Sequence, residues 1–115
     1  MGKIDELVRN RKKAHQRLQQ LGSPVYAAFL ELEGKTYADG ALSRKQKELI
    51  AVGISVVINC ESCMQWHIEQ SAKAGATGKE VLEAIEVGIE MGGGPATAYA
   101  RFALEAMDEV FREVR

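Results

Sequence analysis

The residues best suited to chemistry lie in one short run, Cys60-Glu61-Ser62-Cys63-Met64-Gln65-Trp66-His67, which holds both cysteines and one of the two histidines. If this run is an α-helix, Cys63 and His67 lie about 40° apart around the axis and roughly 6 Å apart along it, so His67 can reach Cys63. Cys60 points the same way as His67 but lies about two turns away. A helix that begins near Cys60 also presents unpaired N–H groups to the first thiol, which favours the thiolate. The spacing therefore indicates two differently activated thiols, as in a redox pair.

Three structural interpretations compete with the redox pair. A structural disulfide within C-x-x-C closes too short a loop to remove much entropy from the unfolded state. A zinc site would use Cys60, Cys63 and His67, with Glu48 or His15 as the fourth ligand, but structural zinc sites usually draw paired ligands from two separated segments. Free cysteines can also pack as small apolar groups, although a histidine four residues after Cys63 disfavours this. We therefore expect neither a metal nor a cofactor.

The composition excludes some partners and compartments. The chain has 115 residues, 46% apolar and 27% charged, which is ordinary for a soluble globular protein. Its formal net charge of −1 provides no attraction toward nucleic acid or anionic membranes. The N-terminal residues lack the apolar segment of a signal peptide, and the longest apolar run, residues 49–58, is too short to span a bilayer. We expect a cytoplasmic protein with no nucleic-acid or membrane partner, and in a reducing compartment C-x-x-C favours catalysis or metal binding.

Helical periodicity predicts an all-α fold, with residues 1–115 forming one domain of about six helices. Gly22 ends the first helix, and Ser23 with Pro24 begins the second. We predict a loop over residues 34–40. Ser43 then caps a third helix that ends near residue 58. Its many β-branched residues would also fit a strand, but some fifteen residues without a turn signal favour a buried helix.

The second half of the chain carries the thiols and two further helices. The fourth helix is expected from about residue 60 to residue 74, and Gly75 ends it. Thr77 and Glu80 have the spacing of a capping box and begin the fifth helix. The glycines at positions 92–94 break it, which predicts a hinge or close packing, and a last helix runs from Pro95 to the C-terminus.

Glu48 is a candidate partner for His67. If the third and fourth helices form an antiparallel hairpin around Asn59, Glu48 lies about 17 Å back from the turn and His67 about 11 Å back on the other helix. A glutamate side chain plus one water spans that offset. Glu48 would then orient His67, which would take the proton of Cys63. Spacing alone fits equally well a solvated Glu48, and Ser55 is only an outer candidate.

Glu48, followed by eleven residues and then C-x-x-C-x-x-x-H, resembles the signature of the alkylhydroperoxidase D and carboxymuconolactone decarboxylase family. The resemblance covers residues 42–94. It implies an all-helical fold with Glu48, His67, Cys63 and Cys60 as catalytic residues, joined by a relay through water. Ser62 stands where characterised peroxidases of the family have a second histidine, which affects rate and substrate more than mechanism.

The resemblance also implies an activity and partners. The activity is that of a thiol-dependent peroxidase or disulfide reductase, acting on small hydroperoxides and renewed by a thioredoxin-like or lipoyl-type dithiol donor. The alternative is a lyase acting on a small lactone acid, in which Glu48 and His67 do acid–base work and the cysteines are incidental. A third hypothesis is a metal-binding or assembly module without catalysis. Trimers or hexamers are implied by the resemblance, and the large apolar surface of so small a chain also predicts a homo-oligomer.

Overall fold

The computed structural model of the protein describes residues 2–112, which form six helices and no strand. The prediction of an all-α fold is therefore confirmed. The helices are α1 Lys3–Gln20, α2 Pro24–Thr36, α3 Arg44–Val57, α4 Glu61–Lys73, α5 Gly78–Gly92 and α6 Gly94–Phe111.

The chain divides into two compact units, Met1–Asp39 and Gly40–Arg115. The first unit contains α1 and α2. Gly22, with a positive φ of 64°, turns the chain between them, and the Ser23 hydroxyl caps α2 by accepting a hydrogen bond from the N–H of Tyr26. His15 of α1 is hydrogen-bonded through Nδ1 to the Tyr26 hydroxyl at 2.5 Å, and this contact joins the two helices.

The second unit packs α3 and α5 side by side in the same direction. Lys45 pairs with Glu80 near the start of both helices, and Gly53 lies against Gly88 farther along. A Cβ atom built on Gly88 would lie only 2.6 Å from the Gly53 carbonyl oxygen, so this crossing depends on glycine. The predicted close packing at the glycine cluster is also present, because a Cβ atom on Gly92 would meet the Ala96 side chain at 2.5 Å.

The helices α4 and α6 complete the second unit and run opposite to α3 and α5. Asn59 makes the turn between α3 and α4 with a positive φ of 53°, and the N–H of Cys60 closes it on the Ser55 carbonyl at 3.0 Å. The predicted α3–α4 hairpin is thus present. The core of the unit consists of apolar side chains from all four helices: Val52, Val56, Met64, Ile68, Val81, Ile85, Ala96, Ala100, Phe102, Ala103, Ala106 and Phe111.

Side-chain caps define the helix starts that the sequence predicted. Ser43 and Gln46 form a capping box at α3, and Thr77 and Glu80 form another at α5. Glu80 accepts hydrogen bonds from the backbone N–H of Thr77 and from the Lys45 ammonium, and these hold the pKa of Glu80 below its ordinary value of 4.5.

Three predicted boundaries shift. Residues 34–36 belong to α2, because one glycine lowers helix stability only by about 1 kcal/mol and the Thr36 hydroxyl bonds back to the Leu32 carbonyl. The helix α4 begins at Glu61 with Cys60 as its N-cap, and α6 begins at Gly94, one residue before Pro95. The predicted end of the last helix, at residues 113–115, lies outside the described residues.

Each unit leaves an apolar surface uncovered. On α2, Val25, Phe29 and Leu32 lie along one side and are exposed. In the second unit, α3 and α5 border an open groove of about 610 Å³. Its exposed apolar side chains, which we call the α3/α5 groove residues, are Ile50, Ile54, Val57, Val87 and Met91. Within residues 2–112, no helix combines the length and apolar character needed to cross a membrane.

Candidate active site

The two cysteines lie at the start of α4, where they form a disulfide. Their Cα atoms are 5.2 Å apart, and both residues are half-buried. Cys60 is the N-cap, and its Sγ accepts a hydrogen bond from the N–H of Cys63 at 3.2 Å. The positive end of the α4 dipole therefore faces the sulfur of Cys60. The pair occupies the accessible, electropositive setting in which a C-x-x-C disulfide can be reduced and reformed.

Glu48 is buried and bonds directly to His67. Its side chain is 3% exposed and that of His67 is 13% exposed. The Glu48 Oε1 atom lies 2.7 Å from His67 Nδ1, so the expected bridging water is not needed. The two helices α3 and α4 pack closely enough for the Glu48 carboxylate to reach the imidazole directly. An ionised carboxylate can only accept a hydrogen bond, so in this contact His67 Nδ1 carries the proton and donates the hydrogen bond to Glu48.

His67 and Cys63 are neighbours on one side of α4. They are separated by four residues within a continuous helix, the spacing at which side chains meet. Glu48 lies on α3 and reaches this pair across the hairpin. The structure therefore brings together Glu48, His67 and the Cys60–Cys63 pair, the four predicted site residues.

Two residues at the site were not predicted from the sequence. Arg44 Nε lies 3.9 Å from the second carboxylate oxygen of Glu48, Oε2, and Arg44 Nη2 donates a hydrogen bond to Gln70 Oε1 at 2.8 Å. Helical spacing places Arg44 one turn before Glu48 and Gln70 about one turn after His67, but it does not indicate that Arg44 and Gln70 meet. Neither residue type suggests redox chemistry by itself.

The outer candidate Ser55 and the alternative metal ligand His15 have other contacts. Ser55 is buried, and its hydroxyl donates to the Val52 carbonyl of its own helix at 2.6 Å. His15 bonds Tyr26. Among residues 2–112 there is no group of three or more His, Cys, Asp and Glu side chains arranged to hold a metal ion.

Comparisons with known proteins show similarity over most of the chain. The sequence model of the Carboxymuconolactone decarboxylase family matches residues 23–106, a span that crosses the boundary between the two compact units. An uncharacterized protein of the cox locus of Paracoccus denitrificans is 40% identical over 89 residues, which cover 77% of this chain and 80% of the relative. An uncharacterized protein of Cupriavidus necator is 38% identical over 91 residues, covering 76% and 80%.

Solved structures show the same fold. A carboxymuconolactone decarboxylase family protein from Legionella pneumophila superposes with a TM-score of 0.88 at 32% identity, covering 94% of this chain and 96% of that one. A family protein from Thermotoga maritima, for which a part in the antioxidative response has been suggested, has a TM-score of 0.82 at 27% identity, with coverages of 95% and 92%. Together with the family match and the C-x-x-C pair beside Glu48 and His67, these similarities show that the chain belongs to the carboxymuconolactone decarboxylase family.

Proposed function

We propose that this protein is a thiol-dependent peroxidase of the alkylhydroperoxidase D type, which reduces hydroperoxides through a dithiol–disulfide cycle of Cys60 and Cys63. The observation that carries the proposal is the direct contact of the buried Glu48 with His67, on the helix that begins with the two bonded cysteines. A structural disulfide would need no oriented base on the same helix. The suggested antioxidative role of the Thermotoga relative is consistent with this proposal.

In the first step, His67 Nε2 takes the proton of the Cys63 thiol, and the resulting thiolate attacks the outer oxygen of the hydroperoxide. The O–O bond breaks, its electron pair leaves with the alkoxide, and the alkoxide takes a proton from the imidazolium. The products are an alcohol and a sulfenic acid on Cys63. Glu48 stabilises the imidazolium while it carries the proton.

In the second step, Cys60 sulfur attacks the Cys63 sulfenic acid, and water leaves as the disulfide forms. The Cys60–Cys63 disulfide of the structure corresponds to this oxidised state. A dithiol donor of thioredoxin-like or lipoyl type then reduces the pair and is itself oxidised to a disulfide. Such donors are abundant in a reducing compartment, which fits the proposed cytoplasmic location. Exchange in the opposite direction would make the same pair a disulfide reductase.

We also propose that the working form is a homo-oligomer, a trimer or a hexamer. The α3/α5 groove residues support this, because they form a continuous exposed apolar surface on so small a chain. Closed symmetry is the usual solution for such a surface.

The chemistry is tested with Cys60→Ser and Cys63→Ser in reduced protein treated with an organic hydroperoxide and dimedone. Cys60→Ser should form a trapped sulfenic acid on Cys63, because the attacking thiol and its base are intact. Cys63→Ser should consume hydroperoxide far more slowly. An adduct found only on Cys60 would reverse the two roles. Decarboxylation of a small lactone acid that persists in the Cys60→Ser, Cys63→Ser double variant would instead favour the lyase.

A further inference from the structure

Arg44 lies beside the oxygen of Glu48 that His67 does not bind. The distance from Arg44 Nε to Glu48 Oε2 is 3.9 Å, which is an ion pair beyond hydrogen-bond length. Arg44 stands one helical turn before Glu48 on α3, and its side chain is 47% exposed. The guanidinium therefore forms the solvent side of a carboxylate that is otherwise buried.

The guanidinium is held in place by α4 as well as α3. Arg44 Nη2 donates to the Oε1 atom of Gln70 at 2.8 Å, and Gln70 is itself buried. Gln70 follows His67 by three residues, so it lies near the imidazole on α4. The cation is thus fixed by the two helices that carry Glu48 and His67.

A buried carboxylate needs both compensation of its charge and control of its orientation. Burying an ionised carboxylate is costly unless it is paired and hydrogen-bonded. The Glu48–His67 contact uses only Oε1, and the terminal torsion of a glutamate side chain is broad. An interaction at Oε2 can therefore help to direct Oε1 at Nδ1.

We infer that Arg44 is a positioning residue for the Glu48–His67 pair. By keeping Glu48 oriented, it keeps the proton of His67 on Nδ1, so that Nε2 is the nitrogen that would accept the proton of Cys63. The inference rests on the proposed peroxidase function. It extends the site from Glu48, Cys60, Cys63 and His67 to Arg44, with Gln70 as the anchor of the guanidinium.

The test compares Arg44→Met with Arg44→Lys and with Lys45→Met as the matched control. Lys45→Met also removes one cation from the first turn of α3, but the partner of Lys45 is Glu80 on α5. The tautomer of His67 is measured by ¹⁵N NMR on the disulfide form, with the imidazole signals assigned through His15→Gln. The rate of hydroperoxide consumption is measured in parallel.

We expect the Nδ1–H tautomer in the parent and in Lys45→Met, and a mixture of tautomers in Arg44→Met. The kcat of Arg44→Met should fall about 10-fold with little change in KM, by analogy with residues that orient the ligands of a metal ion, and Arg44→Lys should recover part of it. Gln70→Met, which removes the Gln70 hydrogen bond to the guanidinium without removing the positive charge, should give an intermediate loss of kcat and serves if Arg44→Met does not fold.

A folded Arg44→Met with the parental tautomer and kcat would overturn the inference. An equal loss of kcat in Lys45→Met would also overturn the inference, because removing any positive charge from the first turn of α3 would then have the same effect. If the parent consumes no hydroperoxide, the proposed function fails. The NMR comparison still decides whether Arg44 positions His67, so the two failures are distinguishable.

Discussion

At the scale of single residues, the site is defined by one buried carboxylate. Glu48 is an acidic residue buried within α3, and His67 and Arg44 lie beside its two oxygens. Buried acids are rare unless they are paired. In the proposed peroxidase cycle, the contact with a histidine one turn after a cysteine would give the carboxylate a chemical task as well as a structural one.

His67→Ala tests the task of the imidazole. The variant should consume hydroperoxide about 10² to 10⁴ times more slowly at neutral pH, because a positioned general base typically contributes that much. The loss should shrink at alkaline pH, where hydroxide can deprotonate the Cys63 thiol without help. A pH–rate profile compared with that of the parent measures this. Superimposable profiles would remove His67 from the mechanism.

At the scale of helices, the site depends on how closely α3 approaches its neighbours. The Gly53–Gly88 crossing brings α5 against one side of α3, while the other side faces α4 and carries Glu48. The start of α4 matters equally for the site. Because α4 begins at Glu61, Cys60 is its N-cap and the Cys60 sulfur accepts the N–H of Cys63.

Gly88→Ala should destabilise the protein by about 1–3 kcal/mol, because overpacking an interior contact typically costs that much. The new Cβ atom would lie 2.6 Å from the Gly53 carbonyl oxygen and 3.0 Å from the Val56 Cβ atom. Gly34→Ala on α2 is the control. It meets no atom within 4 Å and should be stabilising by about 0.5–1 kcal/mol. Urea denaturation followed by circular dichroism measures both changes in unfolding free energy. Similar values for the two variants would contradict a Gly53–Gly88 contact too close for a side chain.

The start of α5 should make stability depend on pH. The pKa of Glu80 is lowered in the folded state, first by the Thr77 backbone and then by Lys45. The stabilisation is therefore fully present above pH 4.5 and is lost as the pH falls through the folded-state value. Glu80→Gln keeps a side-chain acceptor for the capping box but does not titrate.

The difference in unfolding free energy between the parent and Glu80→Gln should consequently close as the pH is lowered below 4.5. Glu86→Gln, on the same helix, controls for the general effect of removing one acidic charge. A difference from the parent that stays constant down to acid unfolding would show that the cap and Lys45 do not favour the ionised form.

Local signals in the sequence were sufficient for most helix ends and for placing Cys63 and His67 one turn apart on one helix. Ser43, Thr77 and Gly75 act through bonds or backbone angles within a few residues, so their patterns are visible without a fold. The loop predicted from Gly34 onward was wrong for residues 34–36, because the free-energy cost of a single exposed glycine is too small to end a helix.

The contacts between helices could not be predicted in the same way. The direct Glu48–His67 hydrogen bond depends on the distance between α3 and α4. The spacing in the sequence was equally compatible with a wider separation bridged by one water. Arg44 meets Gln70 across 26 positions of sequence, and no pattern along the chain marks such a pair. Such contacts follow from tertiary packing.

At the scale of the whole molecule, the exposed α3/α5 groove residues predict self-association. Ile54→Glu places a charge in the middle of that surface and should lower the molar mass measured by light scattering at micromolar concentration. Leu104→Glu is the control, because Leu104 is exposed on α6 outside the groove. A monomeric parent would contradict the homo-oligomer. Equal dissociation by both variants would show that the groove is not the contact.

The most direct test of the central claim is a free-thiol count on reduced protein before and after one equivalent of an organic hydroperoxide. The dithiol–disulfide cycle predicts the loss of both thiols of each chain, an intact mass lower by two hydrogens, one equivalent of alcohol, and recovery of both thiols with a dithiol donor. Two thiols remaining beside unreacted hydroperoxide would contradict the peroxidase. A stable oxidised Cys63 beside a free Cys60 would contradict the cycle.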